Sequence, residues 1–231
     1  MTDLTYRTDG GLTVTRREIP ADYHRDSDAL AEQLDAHRGA LFSSNYEYPG
    51  RYTRWEFGFS EPPVIIESRG RKMRIAALNA RGGVIMTMLR PALENLPEVA
   101  QFSADADVFD LEIKATDRVY NEEERSRAPS VFAVLRAIVA HFKSEEDHQL
   151  GLYGALGYDL AFQFEPIEFH LERPADQRDL VLFLADDILV ADHYSASAYR
   201  YHYDFTDGDL STIGIKGGGQ AEPFTVGRQD M

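Results

Sequence analysis

The stretch Asp179–Tyr201, DLVLFLADDILVADHYSASAYRY, sets the fold class. Leu180–Leu184 and Ile188–Ala191 are short runs of strand formers, and a third runs from Tyr199 to Phe205. Turns are read at Asp186-Asp187, between the first two runs, and at Asp207-Gly208, after the third. No run between them is long enough for a crossover helix, so the strands are expected to be antiparallel. Working outward, Val108–Ile113 alternates apolar and polar residues. Val64–Ile66 and Met73–Leu78 read as a hairpin around Arg69-Gly70, and Tyr52–Phe59 is another strand. Ala40–Phe42 reads as a short strand delivering Ser43 and Ser44.

Helices are fewer. Ser130 is placed to cap a helix whose Val131, Val134, Leu135, Ile138, Val139 and Phe142 follow a 3.6-residue period. Ser27 and Asp28 are placed to cap a second, running through Leu34. Ala80-Arg81-Gly82-Gly83 reads as a turn before the apolar stretch Val84–Leu89. Pro91 suits the first turn of a short helix over Ala92–Leu96. Residues 117–128 are charged and read as a surface loop. Strands outnumber helices without alternating regularly with them. The expected class is therefore α+β, with mostly antiparallel sheets in a sandwich-like arrangement and a few flanking helices. The expected division is one domain over 1–215 and a Gly-rich linker or tail over 216–231.

Composition narrows the chemistry. The 231 residues carry a formal net charge of −15, which argues against nucleic-acid and anionic-membrane partners. There is no cysteine, which excludes disulfides, thiolate catalysis and Cys-based zinc sites. No apolar run is long enough to span a membrane and the first residues lack a signal core, so a cytoplasmic location is expected. The seven histidines show no tight metal-ligand spacing, and no catalytic constellation stands out. Asp186-Asp187 and Asp192-His193 could form an acid/base set, but they also sit where hairpin turns favour acidic residues. In GLYGALGYDL, Gly151, Gly154 and Gly157 lack the lysine of a phosphate loop and read as a strand with a bare backbone for close packing. Within 51–90 the balance reverses to eight Lys/Arg against three Glu. Arg69, Arg71, Lys72 and Arg74 there make either a solvated face or an attractor for a carboxylate.

The densest chemistry lies in Ser43–Trp55, SSNYEYPGRYTRW, which holds three tyrosines, the single tryptophan, two arginines and a Pro-Gly turn. Small hydroxyls leave room and accept hydrogen bonds, guanidiniums fork onto carboxylates, and aromatic faces cover apolar rings. The alternative is a twisted hairpin with packed aromatics and exposed arginines.

Three segments in order resemble the N-terminal domain of anthranilate synthase component I, in the chorismate-utilising family. ALFSSNYEYPGRYTRW is similar to the family's strand-Ser-turn-Arg-Tyr-Ser element. LGLYGALGYDLAFQFEP is similar to its Gly-rich strand and Tyr-Asp helix, and DLVLFLADDILVADHYSASAYRY to its late β-meander. The Asn-Tyr-Glu-Tyr-Pro-Gly wording resembles forms that fuse the synthase and glutamine-amidotransferase parts. The resemblance implies a regulatory domain that binds L-tryptophan as feedback inhibitor. It maps the family's key serine onto Ser44 and a basic residue onto Arg54. Arg51 matches the element's arginine, while Ser43 stands where many relatives carry glutamate. With the residue types above, the expected tryptophan-binding set is Ser43, Ser44, Asn45, Tyr46, Arg51 and Arg54.

The resemblance also implies partners: a chorismate-binding catalytic domain and a glutamine amidotransferase subunit or domain. It implies no cofactor on this chain, with magnesium belonging to the catalytic domain, and no turnover of chorismate by this chain alone. Two alternatives are the equivalent domain of an aminodeoxychorismate synthase, with tryptophan as a structural ligand, and a stand-alone interaction module.

Overall fold

The computed structural model describes residues 2–43, 55–115, 128–164, 170–174 and 176–218. Two antiparallel sheets dominate, as the α+β reading expects. The first has the order β1-β2-β12-β11-β4-β3, with β13 paired to β12. Its strands are β1 (Thr2–Arg7), β2 (Thr13–Ala21), β3 (Gly39–Phe42), β4 (Trp55–Ser60), β11 (Asp187–Asp192), β12 (Ser197–Asp207) and β13 (Leu210–Ser211). The second has the order β7-β8-β6-β5-β10-β9. It is built from β5 (Val64–Arg69), β6 (Lys72–Ala77), β7 (Val99–Ala104), β8 (Val108–Ile113), β9 (Leu152–Leu156) and β10 (Leu180–Leu184).

The late meander is split between these sheets. β10 pairs with β5 and β9, whereas β11 pairs with β12 and β4. Ala185-Asp186 is thus a crossover from one sheet to the other and not the hairpin turn its acidic residues suggest. The chain makes the reverse passage between Ser60 and Val64 through Pro62 and Pro63, which cannot donate to a ladder. The hairpin joining β11 to β12 is genuine. Asp192 accepts the Tyr194 N–H in it, and Ala196 takes a left-handed φ of 49°.

Among the described residues, three α-helices flank the sheets: α1 (Arg25–Gln33), α2 (Ala80–Leu93) and α3 (Val131–Phe142). α3 buries Val131, Val134, Leu135, Ile138 and Phe142 as read from the sequence, but Val139, read on the same stripe, is exposed. Each such side chain contributes about 1.5–3 kcal/mol by leaving water. Ser130 occupies the cap position, but its hydroxyl makes no cap; the Gln163 amide oxygen accepts the Val131 N–H instead. α1 starts earlier than Ser27, because Asp22 accepts the backbone N–H of Arg25 at 2.8 Å.

The reading of residues 80–96 is corrected. Ala80-Arg81-Gly82-Gly83 is no turn but the first turn of α2, and Pro91 lies inside that helix rather than opening another. The Asn79 side chain caps it by accepting the Gly82 N–H at 3.0 Å. Gly82 is bare because a Cβ there would overlap the Pro63 carbonyl, so the glycine serves close packing inside a helix. β1, β2 and β7 were not foreseen, since their half-exposed faces carry polar residues on both sides.

The core joins α2 and α3 to both sheets. Ile85, Met86, Leu89 and Ile138 share one cluster with Ile66, Ile75, Leu182, Val190 and Phe205. A smaller cluster on the other side of the first sheet seats Leu30 of α1 against Leu189, Ala191 and Ala198.

Candidate functional site

β3 and β9 are each an edge strand of their sheet, and a ring contact links them. Phe42 and Phe57 are register partners on β3 and β4, so they share a face. Tyr153 on β9 lies 6.4 Å from Phe42, 6.5 Å from Phe57 and 5.9 Å from Phe59, measured between ring centroids. Phe183, the register partner of Tyr153, packs edge-on to Phe59 at 5.7 Å. Trp55 lies 6.4 Å from Phe57.

Along β4 the inward residues pass from exposed to buried: Trp55 is 42% exposed, Phe57 half-buried and Phe59 2% exposed. The rings of Phe42, Phe57, Phe59, Tyr153 and Phe183 thus pack into one aromatic cluster between the two sheets, with Phe42 and Trp55 exposed at its edge. Ser43, also exposed, follows Phe42, so that Ser43 and Trp55 are the described residues on either side of 44–54. Ser44, Asn45, Tyr46, Arg51 and Arg54 fall outside the described residues, so of the expected set only Ser43 is placed.

The close approach of β9 depends on glycine. A Cβ on Gly154, where φ is 156°, would overlap the Val181 carbonyl oxygen of β10. The Gly-spaced strand is thus a packing device, as read from the sequence, at Gly154; Gly151 faces open space.

Beyond Tyr153 lies a buried polar cluster. The Tyr153 hydroxyl donates to the Gln149 carbonyl, and the Gln149 N–H donates to Asp147 Oδ1 at 2.8 Å. Asp147 Oδ2 accepts the Tyr6 hydroxyl at 3.2 Å and pairs with Arg16 Nη1 at 3.3 Å. Arg16 in turn stacks over the Tyr201 ring at 4.5 Å. Burial, with the Asp147 carboxylate adding to it, pushes the Tyr153 hydroxyl up to about 12. Burial also raises Tyr6 and Tyr203 well above the ordinary phenol range, with Asp147 again the next cause.

A second buried network holds α2. Arg81, 2% exposed, bonds Asp186 at 2.5 Å, Asp204 at 3.0 Å and the carbonyls of Tyr203, Thr212 and Ile215. Asp186 is therefore an ion-pair partner at the sheet crossover. Burial raises its carboxyl, opposed by Arg81. The Asp204 carboxyl is also desolvated, but bonds from Arg81 and Arg17 outweigh that and lower it. In the basic run Arg71 is tied to backbone carbonyls, while Lys72 and Arg74 lie on an exposed face. Arg71 donates to the carbonyls of Lys114, Pro129 and Gln163, while Arg74 pairs with Asp110 at 3.9 Å. Among the described residues, no cluster of three His, Asp or Glu is placed to hold a metal, and no helix is long and apolar enough to cross a membrane.

The sequence pointed to the segment that follows Ser43, and to Trp55, but not to Tyr153, Phe57 or Arg81. The alternation Trp55-Phe57-Phe59 was a usable signal for the aromatic cluster. Nothing local marks Arg81 as buried, since its partners are more than a hundred positions away.

The chain is 44% identical to anthranilate synthase of Azospirillum brasilense over 221 residues, 96% of its own length. It is homologous to anthranilate synthases. With anthranilate synthase component 1 of Serratia marcescens it shares 30% identity over 190 residues, and with that of Vibrio parahaemolyticus 26% over 205. The chain spans only 30% of the Azospirillum protein's length and 36% of each of the other two. No family model matches the chain.

Proposed function

We propose that the chain is the N-terminal regulatory domain of an anthranilate synthase, which forms anthranilate from chorismate and glutamine in tryptophan biosynthesis, and that it binds L-tryptophan as the feedback inhibitor. The observation that supports this reading is the pair of exposed rings, Phe42 and Trp55, on either side of the Ser/Asn/Arg-rich segment, in a chain homologous to anthranilate synthases. An indole needs an apolar surface faced by rings, and Phe42 and Trp55 are exposed to provide one. The ammonium needs oxygen acceptors, from Ser43, Ser44, Asn45 or Tyr46. The carboxylate needs a guanidinium, from Arg51 or Arg54.

In this reading the catalytic work, with its magnesium and its supply of ammonia from a glutamine amidotransferase, belongs to other parts of the enzyme. Inhibition requires tryptophan to favour one arrangement of those parts over another, at about 1.4 kcal/mol for each tenfold effect. The experiment is steady-state inhibition of the complete enzyme, as wild type and as Ser44→Phe. The reading predicts tryptophan inhibition in the wild type and its loss in the variant, with turnover retained. Unchanged inhibition in the variant would remove Ser44 from the site, and a wild type insensitive to tryptophan would remove the regulatory role.

A further inference from the structure

We infer that the outer face of the second sheet, over β5 to β8, is a self-complementary surface on which a second copy of this chain docks about a twofold axis. The inference goes beyond the tryptophan reading and does not depend on it. On this face β9 and β10 are covered by the first sheet, since Tyr153 and Phe183 pack against Phe59. Farther across the sheet, β5, β6, β8 and β7 present charged and polar side chains along a groove of about 670 Å³.

Strand register sorts these side chains into two rows. Ser103, Asp110, Arg74 and Glu67 are successive register partners across β7, β8, β6 and β5, and Gln101, Glu112, Lys72 and Arg69 form the next row. In each row an acid on β8 lies beside a base on β6. Arg74 and Asp110, both more than half exposed, already approach to 3.9 Å within one copy. Lys72 and Arg69 are like charges in register, which is unfavourable until a further acid joins them.

A twofold axis running along the strands between β8 and β6 exchanges those two strands, and β7 with β5. It sets Arg74 over Asp110 of the second copy, Lys72 over Glu112, Arg69 over Gln101 and Glu67 over Ser103, each pair occurring twice. No like charges meet across the axis. Side-chain length matches as well, because the long Arg69, Lys72 and Arg74 of one copy lie over the shorter residues of β7 and β8 in the other. The reciprocal pairs share neighbours and form one network, the arrangement in which exposed charges contribute measurably. The net charge of −15 opposes association at long range, but at about 0.15 M salt that repulsion is screened beyond about 8 Å.

The test is sedimentation equilibrium of the chain at about 0.15 M salt as wild type, as Lys72→Glu with Arg74→Glu, and as Asp110→Lys with Glu112→Lys. The expected result is a concentration-dependent dimer of the 26.1 kDa chain for the wild type, a monomer for each double variant, and a dimer again when the two variants are mixed in equal amounts. Both variants stay net negative, so recovery on mixing reports the face and not the overall charge. Surface substitutions of this kind leave the fold intact, which circular dichroism checks. A wild type that stays monomeric at the highest concentration would overturn the inference and leave the face to solvent or to other parts of the synthase. Double variants that dimerise as well as the wild type, or folded variants that fail to pair on mixing, would overturn it too.

Discussion

Phe42, at the end of one sheet's outermost strand, lies 6.4 Å from Tyr153 on the outermost strand of the other. β3 and β9 are not partners in either ladder, so side chains rather than backbone bonds join the two edges here. Edge strands usually need protection from unwanted pairing. In this chain, the end of β3 carries the exposed Phe42, just before the Ser/Arg-rich segment in sequence.

Gly154 governs that approach. Gly154→Ala should place a methyl group against the Val181 carbonyl and push β9 outward, lowering stability by about 1–3 kcal/mol. Gly151→Ala, with nothing near its would-be Cβ, should stay within about 0.5 kcal/mol of the wild type. Urea unfolding midpoints of the two variants check the contrast. Equal midpoints would mean that close packing does not explain the bare strand.

Arg81 is the stability keystone of α2. Arg81→Met should strand Asp186 without its buried cation and leave Asp204 with Arg17 alone, costing about 3–5 kcal/mol. Arg74→Met, which removes an exposed pair with Asp110, should cost less than about 1 kcal/mol. Chemical denaturation of both variants measures the difference.

The buried phenols give the chain an alkaline limit. Tyr6, Tyr153 and Tyr203 have raised pKa values in the folded state, so folding holds their protons more tightly than the unfolded chain does. The associated stability is complete below the unfolded value of about 10. It is lost as pH rises from there through the folded values, of which that of Tyr153, about 12, is the lowest of the three. Denaturation free energy should therefore fall as pH rises above about 10. Tyr203→Phe should flatten part of that decline. A pH profile that stays level from 9 to about 12 would contradict the burial of these hydroxyls.

The sequence made the strands legible where apolar and polar residues alternated or turned on Gly and Asp. Leu180–Leu184 and Val108–Ile113 appear with the bounds read from sequence. It misled where one local signal served another purpose. Gly82-Gly83 looked like a turn but let α2 pack against Pro63, and Asp186 looked like a hairpin residue but pairs with Arg81. The candidate site was half legible. The Ser43–Trp55 chemistry stood out, whereas Tyr153 joined the aromatic cluster only through a contact between sheet edges about a hundred residues apart, which no local pattern encodes.

The central claim is that this chain carries the tryptophan-sensing site, and calorimetry with L-tryptophan tests it most directly. The account predicts saturable one-to-one binding to the chain, or to the chain mixed with the remainder of the synthase, and its loss in Ser44→Phe. Absence of binding under both conditions would contradict it.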